Sequence, residues 1–120
     1  MAHSRLLPDP DLLLGMSTVA DGGRVSDKPL LDALGWDSSA RLGIESLDTG
    51  VLRARAAADG TVPVSPKGFF RVPFRVRRRA LLFLGDRVLL LAHRKRSALL
   101  IYPPAVIGEM FSDGLRHLEG

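Results

Sequence analysis

The chain has 120 residues, 46% of them hydrophobic and 25% charged, which fits one folded domain with a moderate core and excludes both a large multidomain enzyme and a wholly disordered chain. Cysteine is absent, so neither a disulfide framework nor a cysteine-ligated metal centre is available. The net charge of +4 is unevenly spread: residues 1–60 hold 6 Lys/Arg against 9 Asp/Glu, a balance of −3, and residues 61–120 hold 11 against 4, a balance of +7. Such a surplus points to a polyanionic partner.

In chain order, residues 1–16 mix Pro, Asp and Leu and read as a flexible N-terminal arm without chemistry of its own. Their leucines are interrupted by Pro8, Asp9, Pro10 and Asp11, so they lack the apolar run of a secretory signal. No stretch approaches the roughly 20 apolar residues of a membrane span, and a cytoplasmic protein without membrane contact is expected. From Ser17, "STVADGGRVSD" predicts two short strands about a turn at Asp21-Gly22-Gly23. A short helix follows, with Asp27 as N-cap, Pro29 in the first turn, Leu30, Leu31 and Leu34 on its apolar face, and Gly35 as terminator. Strands are expected over 41–46 and 50–56, with a linker at 56–60.

The same order then returns. Strands are expected over 61–64 and 69–72 about a turn at Ser65-Pro66-Lys67-Gly68. Pro73 opens a helical turn carrying "FRVRRRALL", Gly85-Asp86 turns into "RVLLLA", and "HRKRS" leads to "ALLIY". Pro103-Pro104 stops the last strand and starts a C-terminal amphipathic helix and tail over 105–120, with Val106, Ile107, Met110 and Phe111 on one face. Gly23 aligns with Gly68 at an offset of 45 and Arg41-Leu42 with Arg87-Val88 at an offset of 46. Residues 17–56 and 61–104 therefore read as two degenerate copies of a β-α-β-β-like unit. A unit of about 40 residues exposes too much apolar surface to be stable alone, so two must bury their faces together.

The segment 67–104, "KGFFRVPFRVRRRALLFLGDRVLLLAHRKRSALLIYPP", resembles the AbrB/SpoVT/MazE swapped-hairpin DNA-binding domain. Gly68, Pro73, Arg77-Arg78, Gly85-Asp86 and "RVLLLA" fall in the order of that family's pattern. The resemblance implies a mainly β fold with short helices, a swapped-hairpin (double-split) β-barrel in which two copies of the motif interleave. It also implies a basic face that contacts double-stranded DNA, to which Arg77 and Arg78 contribute. The arginine that commonly follows the turn glycine is replaced by Phe69, whereas the first copy keeps it as Gly23-Arg24-Val25 and lacks the arginine pair. Tandem copies in one chain are the arrangement of the MraZ family, so either a homodimer or an intramolecular pseudo-dimer that dimerises further is expected.

Arginine suits this task because its planar fork binds a phosphate, or the O6/N7 edge of guanine, in bidentate fashion. The candidate DNA-binding residues are Arg24, Lys67, Arg71, Arg75, Arg77, Arg78 and Arg79. Helical spacing sets Arg75, Arg78 and Arg79 on one face and Arg77 on another, and Arg71 projects outward if Phe70 and Val72 face the core. Phe69 is assigned to the core rather than to a DNA wedge. His3, His93 and His117 are scattered, and no phosphate-binding glycine loop or nucleophilic triad is present, so no metal, no cofactor and no catalysis is expected. The reading is a sequence-specific transcriptional regulator associated with the nucleoid. Its alternative is a MazE-like antitoxin or other interaction module that neutralises a toxin partner.

Overall fold

The computed structural model describes residues 7–120, and residues 1–6 of the predicted arm lie outside the described residues. Eight strands and four α-helices follow one another: β1 Leu12–Thr18, β2 Arg24–Ser26, α1 Lys28–Ala33, β3 Arg41–Ser46, β4 Leu52–Ala56, β5 Val62–Pro63, β6 Phe69–Arg71, α2 Phe74–Arg79, β7 Arg87–His93, β8 Ala98–Tyr102, α3 Pro104–Met110 and α4 Ser112–Leu115. The protein is mainly β, with antiparallel strands and short helices. Six strands form one sheet in the order β1-β7-β8-β4-β3-β5, and β2 and β6 form a separate ribbon. Exchanging β1–β4 with β5–β8 leaves every strand neighbour unchanged: β1 lies on β7 as β5 lies on β3, and β4 meets β8 at the centre.

The sheet is open, which corrects the closed barrel expected from the sequence. Its ladder ends at β1 on one side and at β5 on the other. β5 is two residues long and contains Pro63, which has no N–H to donate, so pairing cannot run on from that edge. No ladder joins the ribbon to either edge among the described residues; isolated bridges, Ala20 with Arg24 beside β1 and Ser65 with Phe69 beside β5, and a hydrogen bond from the Ser26 N–H to Ser17 Oγ link them.

Local sequence explains most element ends. The Asp27 carboxylate accepts from the Leu30 N–H at 3.1 Å and caps α1, and Leu30 and Leu31 are buried on its inner face. Strand alternation then sorts the sheet: Val88, Leu90 and Ala92 of β7, Leu99 and Ile101 of β8, and Leu52 and Ala54 of β4 point into the core. Trp36 is buried too, and its indole N–H donates to Ser97 Oγ at 3.3 Å, tying the end of α1 to the β7–β8 turn. β1 begins at Leu12 rather than Ser17, so part of the predicted arm is strand. Three consecutive leucines conceal the period-2 pattern, and the pairing with β7 that extends the strand is more than 70 residues away in sequence.

The ribbon is clasped reciprocally. Gly23 O accepts from the Val72 N–H at 2.9 Å, and Gly68 O accepts from the Asp27 N–H at 3.1 Å, so each turn glycine binds the residue that leaves the other strand. Both glycines have left-handed backbone, with φ of 81° and 87°. A Cβ on Gly68 would lie 2.7 Å from Lys28 Cα, and one on Gly23 would lie 2.5 Å from Val72 O. Gly35 is also left-handed, at φ 73°, but nothing lies within 4 Å of its Cβ position. Urea unfolding is therefore expected to show Gly35→Ala losing about 1 kcal/mol from backbone strain alone, and Gly68→Ala losing at least about twice that. Equal losses would show that the close approach at Gly68 is unimportant.

Candidate nucleic-acid interface

β2 and β6 pair in the register Arg24 with Arg71, Val25 with Phe70, and Ser26 with Phe69. Val25 and Phe70 are buried, so alternation turns the other two pairs outward. Two arginines thus stand opposite each other on one face of a two-stranded ribbon. Like charges directly opposed across a sheet destabilise it. Phe69 offsets part of this repulsion: the guanidinium carbons of Arg24 and Arg71 lie 5.7 and 5.1 Å from its ring centroid. Phe69 is half-buried and lies outside the main core, which corrects its assignment as a core residue. Its parity with Arg71 on the same strand was the available signal, masked by its apolar neighbour Phe70.

Lys67 joins this face. With Arg24, Ser26, Ser65 and Phe69 it lines a shallow hollow at the Ser26–Phe69 end of the ribbon. At the other end, the arginine side chains close over the Asp21–Gly23 turn: Arg71 Nε lies 3.0 Å from the position a Cβ on Gly22 would take, and Arg77 Nε 2.5 Å from that on Gly23. The ribbon therefore carries its paired charge at the Gly23–Val72 end and its hollow at the other, and its face is not symmetric.

The four arginines of α2 divide. Arg77 is half-buried, its Nε donates to Val72 O at 3.0 Å, and its guanidinium carbon lies 5.5 Å from the centroid of the Phe74 ring. Arg75, Arg78 and Arg79 are exposed, and Arg75 and Arg79 line a second hollow with Ile44, Glu45, Ser46 and Val76. The structure thus brings Arg24, Lys67, Arg71 and Arg77 to the ribbon and turns to Arg75 and Arg79 on a neighbouring surface. Arg77 and Arg78, which helical spacing sets on different faces, differ in their surroundings: the first is held in a hydrogen bond to Val72 O, and the second is open to solvent.

No carboxylate lies within 4.0 Å of the basic groups of Arg24, Lys67, Arg71, Arg75, Arg77, Arg78 or Arg79 among the described residues. The other basic cluster, at the β7–β8 turn, is treated differently. Arg94 and Lys95 sit 3.9 and 3.7 Å from the Asp11 carboxylate, and His93 contacts Asp9 at 2.9 Å. The Asp11 N–H, and after it the His93 ring, hold the Asp9 carboxyl below its usual range. The acidic segment before β1 thus offsets part of the charge of one basic cluster and leaves the ribbon and α2 without an ion-pair partner among the described residues.

Comparison with protein-family models, with curated proteins and with solved structures finds no match to this chain. No helix among the described residues is long and apolar enough to cross a membrane. The chemistry of the basic face carries the functional reading.

The division within α2 has a measurable consequence. Arg77→Ala removes a hydrogen bond and a ring contact and is expected to lower stability by about 1–2 kcal/mol, whereas Arg78→Ala stays within about 0.5 kcal/mol of the wild type. Thermal or urea unfolding of the two variants checks this, and an Arg78→Ala loss matching that of Arg77→Ala would contradict it.

Proposed function

We propose that this chain binds double-stranded DNA through the β2–β6 ribbon and the adjoining face of α2, as a transcriptional regulator of the AbrB/SpoVT/MazE swapped-hairpin kind with both copies of the motif in one chain. The observation that carries the reading is the Arg24–Arg71 pair. Two like charges set opposite each other, stacked on Phe69 and without a carboxylate partner, oppose folding and suit a polyanion that neutralises both. A two-stranded ribbon has the dimensions to enter the major groove, about 12 Å wide, where arginine forks read guanine edges. The exchange symmetry of the strand order supports the reading of two related copies of one unit in this chain.

Arg24 and Arg71 are the base-reading candidates, while Lys67, Arg75, Arg78 and Arg79 are placed as phosphate contacts and Arg77 supports the ribbon from α2. Because Phe69 stands where Arg24 stands in the first copy, and Arg71 where Ser26 stands, the face presents an asymmetric pattern. A single chain accordingly favours a non-palindromic element. The second reading, an antitoxin-like module that binds a protein, draws on the C-terminal segment, where Met110, Phe111, Leu115 and Leu118 are all exposed.

Selection on random duplex oligonucleotides followed by titration of the enriched sequence tests the proposal. With about five phosphates neutralised, log affinity should fall against log salt with a slope of roughly −4 to −5. Arg24→Ser and Arg71→Ser should each weaken the enriched site by about 10- to 100-fold while the protein stays folded. A flat salt response, or enrichment that survives the double variant, would overturn the DNA reading. Removal of residues 104–120, on which the second reading draws, should leave DNA binding intact.

A further inference from the structure

β1 is a seven-residue edge strand whose ladder partner among the described residues is β7. Flanking hydrogen bonds show which of its main-chain groups are engaged. Asp11 O accepts from the Arg94 N–H and the Val19 N–H donates to Asp86 O, so odd-numbered residues aim at β7 and even-numbered ones aim away from it. At one end the Leu12 N–H is held by Asp9 O, and at the other Ser26 borders the strand through Ser17 Oγ. Between them the N–H and C=O groups of Leu14 and Met16 face outward along an open edge.

The same residues expose their side chains. Leu12 is 42%, Leu14 64% and Met16 54% accessible. Across the ladder Leu14 continues to Leu91 and Leu100, and Met16 to Leu89 and Tyr102, all on the outer face and only half-buried. Proteins commonly blunt such an edge with proline, lysine or a bulge. The opposite edge has this protection, since β5 is two residues long and contains Pro63. β1 contains no Pro, Lys or Arg.

We propose that β1 is a self-association edge, pairing antiparallel with β1 of a second copy of this chain about a two-fold axis beside Gly15, so that two six-stranded sheets become one. The register is self-complementary: Leu14 of each copy faces Met16 of the other, which uses the outward main-chain groups and joins the two apolar strips on one face. The charged groups beside the edge are already engaged: Asp9 and Asp11 with His93, Arg94 and Lys95, and Asp27, whose carboxylate lies against Gly15, with the Leu30 N–H. The second copy fits better than a head-to-tail array, since a two-residue β5 edge containing Pro63 offers β1 little to pair with, and an isologous pair consumes both open edges and closes. A specific interface needs about 1,000 Å² in total, and two short edges with three large apolar side chains each approach that size without greatly exceeding it, so affinity on the order of micromolar is expected.

Sedimentation velocity from about 1 to about 200 µM tests this, with a reversible monomer–dimer equilibrium expected over that range. Leu14→Lys should be monomeric throughout, whereas Leu84→Lys, which charges an exposed leucine on the α2–β7 connection, should dimerise as the wild type does. The absence of native cysteine allows a second readout that does not depend on the lysine variant folding. Oxidation of an equimolar mixture of Leu14→Cys and Met16→Cys should give the mixed disulfide well above the roughly half share that random pairing gives. A wild type that stays monomeric, a dimer that survives Leu14→Lys, or no preference for the mixed disulfide would each overturn the proposal. Leu14→Lys leaves Arg24, Phe69 and Arg71 untouched, so association and DNA binding can fail separately.

Discussion

The reciprocal clasp between Gly23 and Gly68 is the constraint on which the rest of the structure depends. Each glycine turns the chain sharply into a three-residue strand, and each carbonyl binds the N–H that follows the other strand. Two three-residue strands are too short to be stable as an isolated pair. They persist because Val25 and Phe70 are buried on one side and the clasp fixes both ends. The left-handed backbone at the two glycines, and the absence of a Cβ that would strike Lys28 or Val72, let the two halves of the chain approach this closely.

That geometry also creates the charged face. With Val25 and Phe70 directed inward, the pleat leaves Arg24, Ser26, Phe69 and Arg71 nowhere to go but outward. The charge imbalance along the chain is thereby converted into a spatial one. Acidic residues of the first half are used elsewhere, Asp9 and Asp11 against the β7–β8 turn, Asp32 against Lys28 and Glu45 against Arg53, while the ribbon receives one arginine from each half. Phe69 lies between them as a surface on which both guanidinium groups rest, a compact arrangement for holding two like charges together.

The two sheet edges occupy equivalent places in the strand order yet differ in chemistry. One is short and proline-blocked, the other long, apolar and open. Divergence of the halves therefore extends beyond the basic face: the first half supplies the open edge and one ribbon arginine, and the second supplies the arginine helix and the closed edge. The exposed apolar residues of the C-terminal segment add a third uncovered surface.

Much of the local structure was legible in the sequence. The Asp27 cap, the terminating Gly35, the strands at 41–46 and 98–102, and the turns at Gly23 and Gly68 follow from short-range rules of capping, alternation and backbone freedom that need only a few neighbouring residues. The uneven charge of the halves was also a property of composition alone. Tertiary structure decided the remainder. Whether Leu12–Thr18 was arm or strand depended on β7, whether Phe69 was core or platform depended on which side of the ribbon Val25 and Phe70 buried, and whether Arg77 was free or engaged depended on the Val72 carbonyl. The openness of the sheet likewise depended on how far β5 could pair before Pro63 intervened. In each case the deciding partner is remote in the chain or set by how the chain folds back at a single residue, and a period read along one segment carries no record of what will lie against it.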